Sequence, residues 1–269
     1  MFIQQLEHRQ QQANSLLCVG LDPQPDKIAA LNLDLLSWLK ALVDATADHA
    51  CAFKPQIAHF AALGAEQTLT DIIAYIHQYH GDIPVILDAK RGDIGSTAKR
   101  YAEEAFVRYQ ADALTVNPYL GGDTITPYSR YTDKGVVVLC KTSNAQSGQL
   151  QDLVLQSGQP LFLQVAQLAA SHWNEHNNIL LVVGATYPEQ LKSIREQVGD
   201  MPLLIPGIGA QGGDLADTLN AGLRADGLGL IISASRSINY AGSGDDFADR
   251  ARLAARQLKT DINQIRAQK

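Results

Sequence analysis

The chain has 269 residues, of which 46% are hydrophobic and 19% charged, with a formal net charge of −6 and an isoelectric point near 5.6. This balance describes a soluble globular protein and argues against a binder of nucleic acid or of anionic membranes. The length suits one large domain or two small ones, and no linker or composition shift divides it, so a single domain over 1–269 is expected.

The first residues, MFIQQLEHRQQQ, hold no apolar signal core, and no apolar run is long enough to span a membrane, so a cytoplasmic protein is expected. Residues 2–13 read as a short amphipathic helix carrying Phe2 and Leu6. An apolar strand follows over 15–21 and ends at Asp22-Pro23. A helix over about 34–49 carries Leu35, Leu36, Leu39, Leu42 and Val43 at helical spacing. The next strand, 51–55, holds Lys54, and a helix is predicted over about 58–79. Gly81-Asp82 breaks the chain before a strand over 84–90, and a helix covers about 95–109.

The alternation continues with a strand over 113–117, room for a helix over 121–131, and a strong buried strand over 135–140. Residues 141–159 form a long polar stretch, and such a stretch after a buried strand is more often functional than a spacer. Then come a helix over 160–174, a strand over 179–183, a helix over 188–198 and a strand over 203–206. A helix over 214–222, a strand over 227–232 and a helix over about 245–267 complete the chain. Eight strands, each followed by a helix, predict a closed (β/α)8 TIM barrel, with a doubly wound open sheet as the alternative. The three cysteines, Cys18, Cys51 and Cys140, lie in or beside apolar runs and are not in CxxC pairs; they read as buried thiols in a reducing compartment.

Asp22, Lys54, Asp88 and Lys90 all fall at C-terminal strand ends, where barrel active sites are built. In residues 85–97, strand alternation puts Asp88 and Lys90 on one face, roughly 6–7 Å apart at about 3.3 Å per residue. Desolvating such charges is costly, which places them in a wet or ligand-filled cleft. The plainer alternative is a structural ion pair with Asp93 as a helix N-cap. Gly207 to Gly213, glycine-rich after the seventh strand, and Arg236 after the eighth suit a phosphate: the backbone N–H groups of Gly207 and Gly209 approach it and the guanidinium pairs with it. Tight turns alone are the alternative there. His49, His59 and His172 read as surface or packing residues.

With these residues in view, the chain resembles the orotidine 5′-phosphate decarboxylase family in its longer bacterial form. The family's D-x-K-x-x-D stands here as Asp88-Ala-Lys90-Arg-Gly-Asp93, followed by a matching Ile94 and Thr97. Asp22 in GLDP, Lys54 in AFKP, Ser143 in KTSN, Gln211 in PGIGAQGG and Arg236 in SASRS match in family order. One departure is Thr142-Ser-Asn-Ala-Gln146 where this form often reads TSNPG.

The resemblance implies cofactor-free and metal-free loss of CO2 from C6 of orotidine 5′-monophosphate, giving UMP in pyrimidine biosynthesis. It implies that Lys90 stabilises and protonates the C6 carbanion, that Asp88 faces the leaving carboxylate, and that Lys54 holds the array and reaches the ribose. Asp22 is expected at the ribose hydroxyls, Ser143 and Gln211 over the pyrimidine and phosphate. Asp93 and Thr97 are expected to complete the site of a second subunit, making the working unit a homodimer with a small nucleotide as its substrate. Two rivals remain: a related Mg2+-dependent sugar-phosphate decarboxylase or aldolase, and a barrel that binds nucleotides without catalysis. Lys54 stands against the first, because a cation site would favour a carboxylate there.

Overall fold

Short apolar runs bounded by turn residues become strands buried on both faces, and the amphipathic stretches between them cover the outside. The structure, a computed structural model, describes residues 1–208 and 213–268. The first half runs α1 (Phe2–Gln12), β1 (Leu17–Leu21), α2 (Pro25–Ile28), α3 (Leu35–Thr46), β2 (Ala52–Pro55), α4 (Ile57–Ala61), α5 (Glu66–Tyr79), β3 (Ile86–Arg91), α6 (Gly95–Glu103) and β4 (Ala113–Val116). The second half runs α7 (Thr126–Ser129), β5 (Gly135–Lys141), α8 (Gly148–Gln151), α9 (Leu161–Ser171), β6 (Ile179–Val183), α10 (Pro188–Val198), β7 (Leu203–Pro206), α11 (Leu215–Gly222), β8 (Leu230–Ala234), α12 (Arg236–Asn239) and α13 (Phe247–Arg266).

The strands form one parallel sheet in the order β2-β1-β8-β7-β6-β5-β4-β3. Bridges Phe53↔Val85 and Gln56↔Asp88 join β2 to β3, so the sheet closes into the expected (β/α)8 barrel. Side chains alternate across the wall. Leu17, Val19 and Leu21 belong to the large core under the helices, whereas Cys18, Ile86, Val137, Leu180, Leu204 and Ile231 fill the barrel interior. Helix α1 plugs the N-terminal end. Its Phe2 and Leu6 join the interior cluster, burial that contributes about 1.5–3 kcal/mol each. A β-carbon at Gly135 would run into the Phe2 ring, so that glycine makes room for the plug. The polar face of α1 is tied down as well: Arg9 donates to the Ala47 and Ala50 carbonyls and Gln10 to that of Leu230.

Several boundaries differ from expectation for backbone reasons. The helix predicted over 58–79 is two, α4 and α5, separated where Gly64 turns left-handed at φ +60°. The last strand begins at Leu230 and not at 227, because Gly227 and Gly229 take φ values of +74° and +88° in the turn before it. Pro25 opens a short helix in the expected proline turn, as proline suits the first helical position. Helix α6 runs on into a π turn over Glu104–Arg108. The three cysteines are free and buried. Among the described residues, no helix is long and apolar enough to cross a membrane.

Candidate active site

Continuing the inward alternation by one step toward the C-terminal ends replaces apolar side chains with polar ones. Lys54 follows Ala52, Asp88 follows Ile86 and Thr115 follows Ala113, all buried. Leu139 and Val182 occupy the same level across the barrel, so one wall is charged and the other apolar. The cavity above them holds about 910 Å3 and is lined by both walls.

Asp88 is the centre of the charged wall. Its Oδ2 accepts from Lys54 Nζ at 2.9 Å, and its Oδ1 accepts from Lys90 Nζ at 2.6 Å and from Thr115 Oγ1 at 2.9 Å. Burial alone would push the Asp88 carboxyl up; the Lys54 and Lys90 ammonium groups outweigh it and hold the acid well below the usual carboxylate range. For Lys54 burial works against the charge, but Asp88 and Asp22 more than restore it and raise its affinity for the proton. The side chains of Lys54 and Asp88 are 8% and 11% exposed, that of Lys90 45%, so Lys90 is the cation that reaches into the open cavity. The Cys18 thiol below them is pushed up to about 12, by burial first, and is inert at neutral pH.

Lys90 does not meet Asp88 by simple alternation. Its φ is +47°, left-handed for a side chain with a Cβ, at a cost of about 1–2 kcal/mol. A register shift between Leu87 and Arg91 marks a bulge there. Bulges commonly re-aim a side chain beside an active site. The expected pairing is present; the extended-strand reason for it is not.

Seven of the expected residues line this cavity: Asp22, Lys54, Asp88, Lys90, Ser143, Gly207 and Arg236. Asp22 Oδ1 is buried without a hydrogen-bond partner, an acceptor suited to a ligand hydroxyl. Gly207 sits at φ +101°, a conformation that favours glycine. Gly209 and Gln211 lie outside the described residues. Asp93 and Thr97 do not line the cavity. Asp93 Oδ1 accepts from the Ile94 N–H at 2.7 Å, and the N-cap of α6 is Ile94, not Asp93. Thr97 is exposed on that helix. Among the described residues, no group of three or more His, Cys, Asp or Glu is placed to hold a metal ion.

Several residues in and around the cavity stand outside the expected set. His59, set aside as packing, lines the wall and its Nδ1–H donates to the Pro23 carbonyl at 2.9 Å. Gln56, Thr186 and Tyr187 line it too. Gln56, Thr186 and Tyr187 follow strand ends, and that position is a signal; His59, inside α4, carries none. Thr115, one polar residue in an apolar strand, carried none. Lys141 ends β5, paired with Val183 of β6 after a register shift between Leu139 and Lys141. Its buried Nζ pairs with Asp152 at 2.8 Å and Ser147 Oγ at 3.2 Å, anchoring the loop that carries Ser143.

A family model described as orotidine 5′-phosphate decarboxylase / HUMPS matches residues 15–250. The orotidine 5′-phosphate decarboxylase of Cellvibrio japonicus (strain Ueda107) is 55% identical over 272 residues, covering 99% of this chain and 99% of the relative. The structure of Leishmania donovani OMP decarboxylase aligns with a TM-score of 0.87 at 42% identity, covering 98% of each chain. Leishmania donovani UMP synthase aligns with a TM-score of 0.88 at 44% identity; the match covers 98% of this chain and spans 56% of that one.

Proposed function

The chain belongs to the orotidine 5′-phosphate decarboxylase / HUMPS family and acts as a carboxy-lyase that converts orotidine 5′-monophosphate to UMP in pyrimidine biosynthesis; from that premise we propose how its barrel mouth performs the reaction. The observation that carries the mechanism is one ionised carboxylate, Asp88, held between a buried lysine and an accessible one.

The pyrimidine lies against Leu139 and Val182 with C6 toward Lys90. The bond from C6 to the carboxylate breaks, the electron pair stays on C6 and CO2 departs. That pair lies in the ring plane with no adjacent π system, so stabilisation comes from fixed charge. The Lys90 ammonium supplies it, then gives C6 a proton and regains one from solvent. Asp88, kept ionised by its two cations, faces the substrate carboxylate, and their repulsion is relieved as CO2 leaves. Lys54 fixes Asp88 and reaches the ribose, whose hydroxyls donate to Asp22. Arg236 and the Gly207 loop, with Gly209 and Gln211, hold the phosphate, and Ser143 closes over the base. Phosphate binding energy thereby orders the charged array.

The unit that works is a homodimer in which Asp93 and Thr97 complete the partner's cavity. Their position away from their own cavity supports this, as does Ile94 between them at 60% exposure. Residues 1–269 act as one catalytic domain, and three buried, unpaired thiols suit the cytoplasm. The test is to add orotidine 5′-monophosphate to EDTA-treated protein and follow the ultraviolet absorbance. Turnover that persists in chelator is expected; no loss of substrate would overturn the assignment.

A further inference from the structure

The pairing of β3 with β4 runs Ile86↔Ala113 and Leu87↔Leu114, then jumps to Arg91↔Val116. Asp88, Ala89 and Lys90 therefore stand opposite a single residue, Thr115. A bulge of this kind leaves backbone N–H groups without their ladder partners, and buried N–H groups need an acceptor. Thr115 supplies it from its side chain. Its Oγ1 accepts from the N–H of Ala89 and from the N–H of Lys90, each at 2.9 Å. A hydroxyl has one proton and two lone pairs, so with both lone pairs engaged the proton goes to Asp88 Oδ1, 2.9 Å away. Lys90 Nζ reaches the same Oδ1 at 2.6 Å.

We propose that Thr115 is a positioning residue for decarboxylation, its hydroxyl holding both the left-handed backbone from which Lys90 departs and the carboxylate oxygen that receives the Lys90 ammonium. The inference rests on the reading of Lys90 as proton donor. Thr115 is 1% exposed and is not among the residues lining the cavity, so it acts through Lys90 and Asp88 and not on substrate. Without the hydroxyl, the two N–H groups and one Asp88 lone pair lose their partner together. The ammonium then leaves its productive position while the surfaces that bind ribose and phosphate stay in place.

Thr115→Val and Thr115→Ser test this, by turnover of orotidine 5′-monophosphate, by calorimetric UMP affinity and by melting temperature. For valine, kcat falls about 10–100-fold while KM and UMP affinity stay within about threefold. Serine keeps the hydroxyl and stays within about threefold of the wild-type kcat. Wild-type kcat in the valine variant overturns the proposal, as does an equal loss of UMP affinity, or a serine variant no better than valine. If the valine chain does not fold, Thr115→Ala takes its place against the same serine control. A wild-type protein that leaves the substrate intact instead removes the decarboxylase reading itself.

Discussion

Asp88 uses its two oxygens differently. Oδ2 binds the buried Lys54, whose role is to stay, and Oδ1 binds Lys90, which reaches the cavity. Asp88 stays an anion between its two cations, and with Asp22 acting on Lys54 the four charges sum to zero, so Arg236 is the added cation among these lining residues. Arg236 lines the same cavity, and the proposed reading puts it at the phosphate. Arg236→Ala is expected to lower kcat/KM by roughly 10²–10⁴-fold, with a smaller fall in kcat at saturation, since the lost guanidinium–phosphate pair both anchors the substrate and helps to order the array. Steady-state kinetics decide it, and an unchanged kcat/KM would take Arg236 off the phosphate. At this scale the charged residues were legible, because four charges of alternating sign at strand ends make poor structural core. Thr115 and His59 were not. A threonine suits any strand, and a histidine just past a strand end looks like helix surface until the barrel closes.

Lys141 shows what an element contributes. It is the last residue of β5, paired with Val183 of β6, and its side chain is 1% exposed with Asp152 as its charged partner. The loop is cross-linked a second time where the Thr142 N–H donates to Gln151 Oε1 at 2.9 Å. Ser143 therefore rises from a fixed base. Asp152→Ala strands a buried cation and should destabilise the fold by roughly 1–3 kcal/mol in urea titrations. Adding Lys141→Met should recover most of that loss, since no charge is then left unpaired. Failure of the double variant to recover would mean that the loop is held by something other than this pair. Element types followed from period and apolar runs, but their ends did not: Gly64 divides one predicted helix, and Gly227 and Gly229 delay β8, through φ values that composition does not announce.

At the scale of the whole molecule, acid stability joins the two ends of the barrel. Asp88 lies near the mouth. Asp112 lies near the plug, where it accepts from His77 Nε2 and from the Val85 N–H, both at 2.9 Å. Burial pushes the Asp112 carboxyl up, and its His77 and Val85 partners and Lys134 bring it below the usual value. Both acids thus hold their protons less tightly folded than unfolded. Their contribution is complete above an unfolded value of about 3.9 and is lost as pH falls through the lower folded values. Urea unfolding between pH 6 and about pH 3 should show stability falling at the acid end, and Asp112→Asn should flatten that fall; an unaltered profile would exclude Asp112 as a source. Assembly is the other property of this scale. Mixing inactive Lys90→Ala and Asp93→Ala chains should restore activity if Asp93 serves the partner's cavity. No recovery under proven subunit exchange would count against a shared site.

The repeat of eight apolar runs and intervening helices by itself determined a parallel β/α fold, because a strand buried on both faces and a helix buried on one leave periodic marks along the chain; the bridges between β2 and β3 decided for a closed barrel over an open sheet. The repeat also determined which strand ends carry charge, and so where chemistry belongs. Only the tertiary structure decided how those charges meet. The bulge after Leu87 and the left-handed Lys90 have no local signature, and the hydroxyl that satisfies them comes from a strand more than twenty residues away. Contacts of that kind exist only once the sheet has closed, because strand register, not sequence spacing, sets which side chain faces which backbone group.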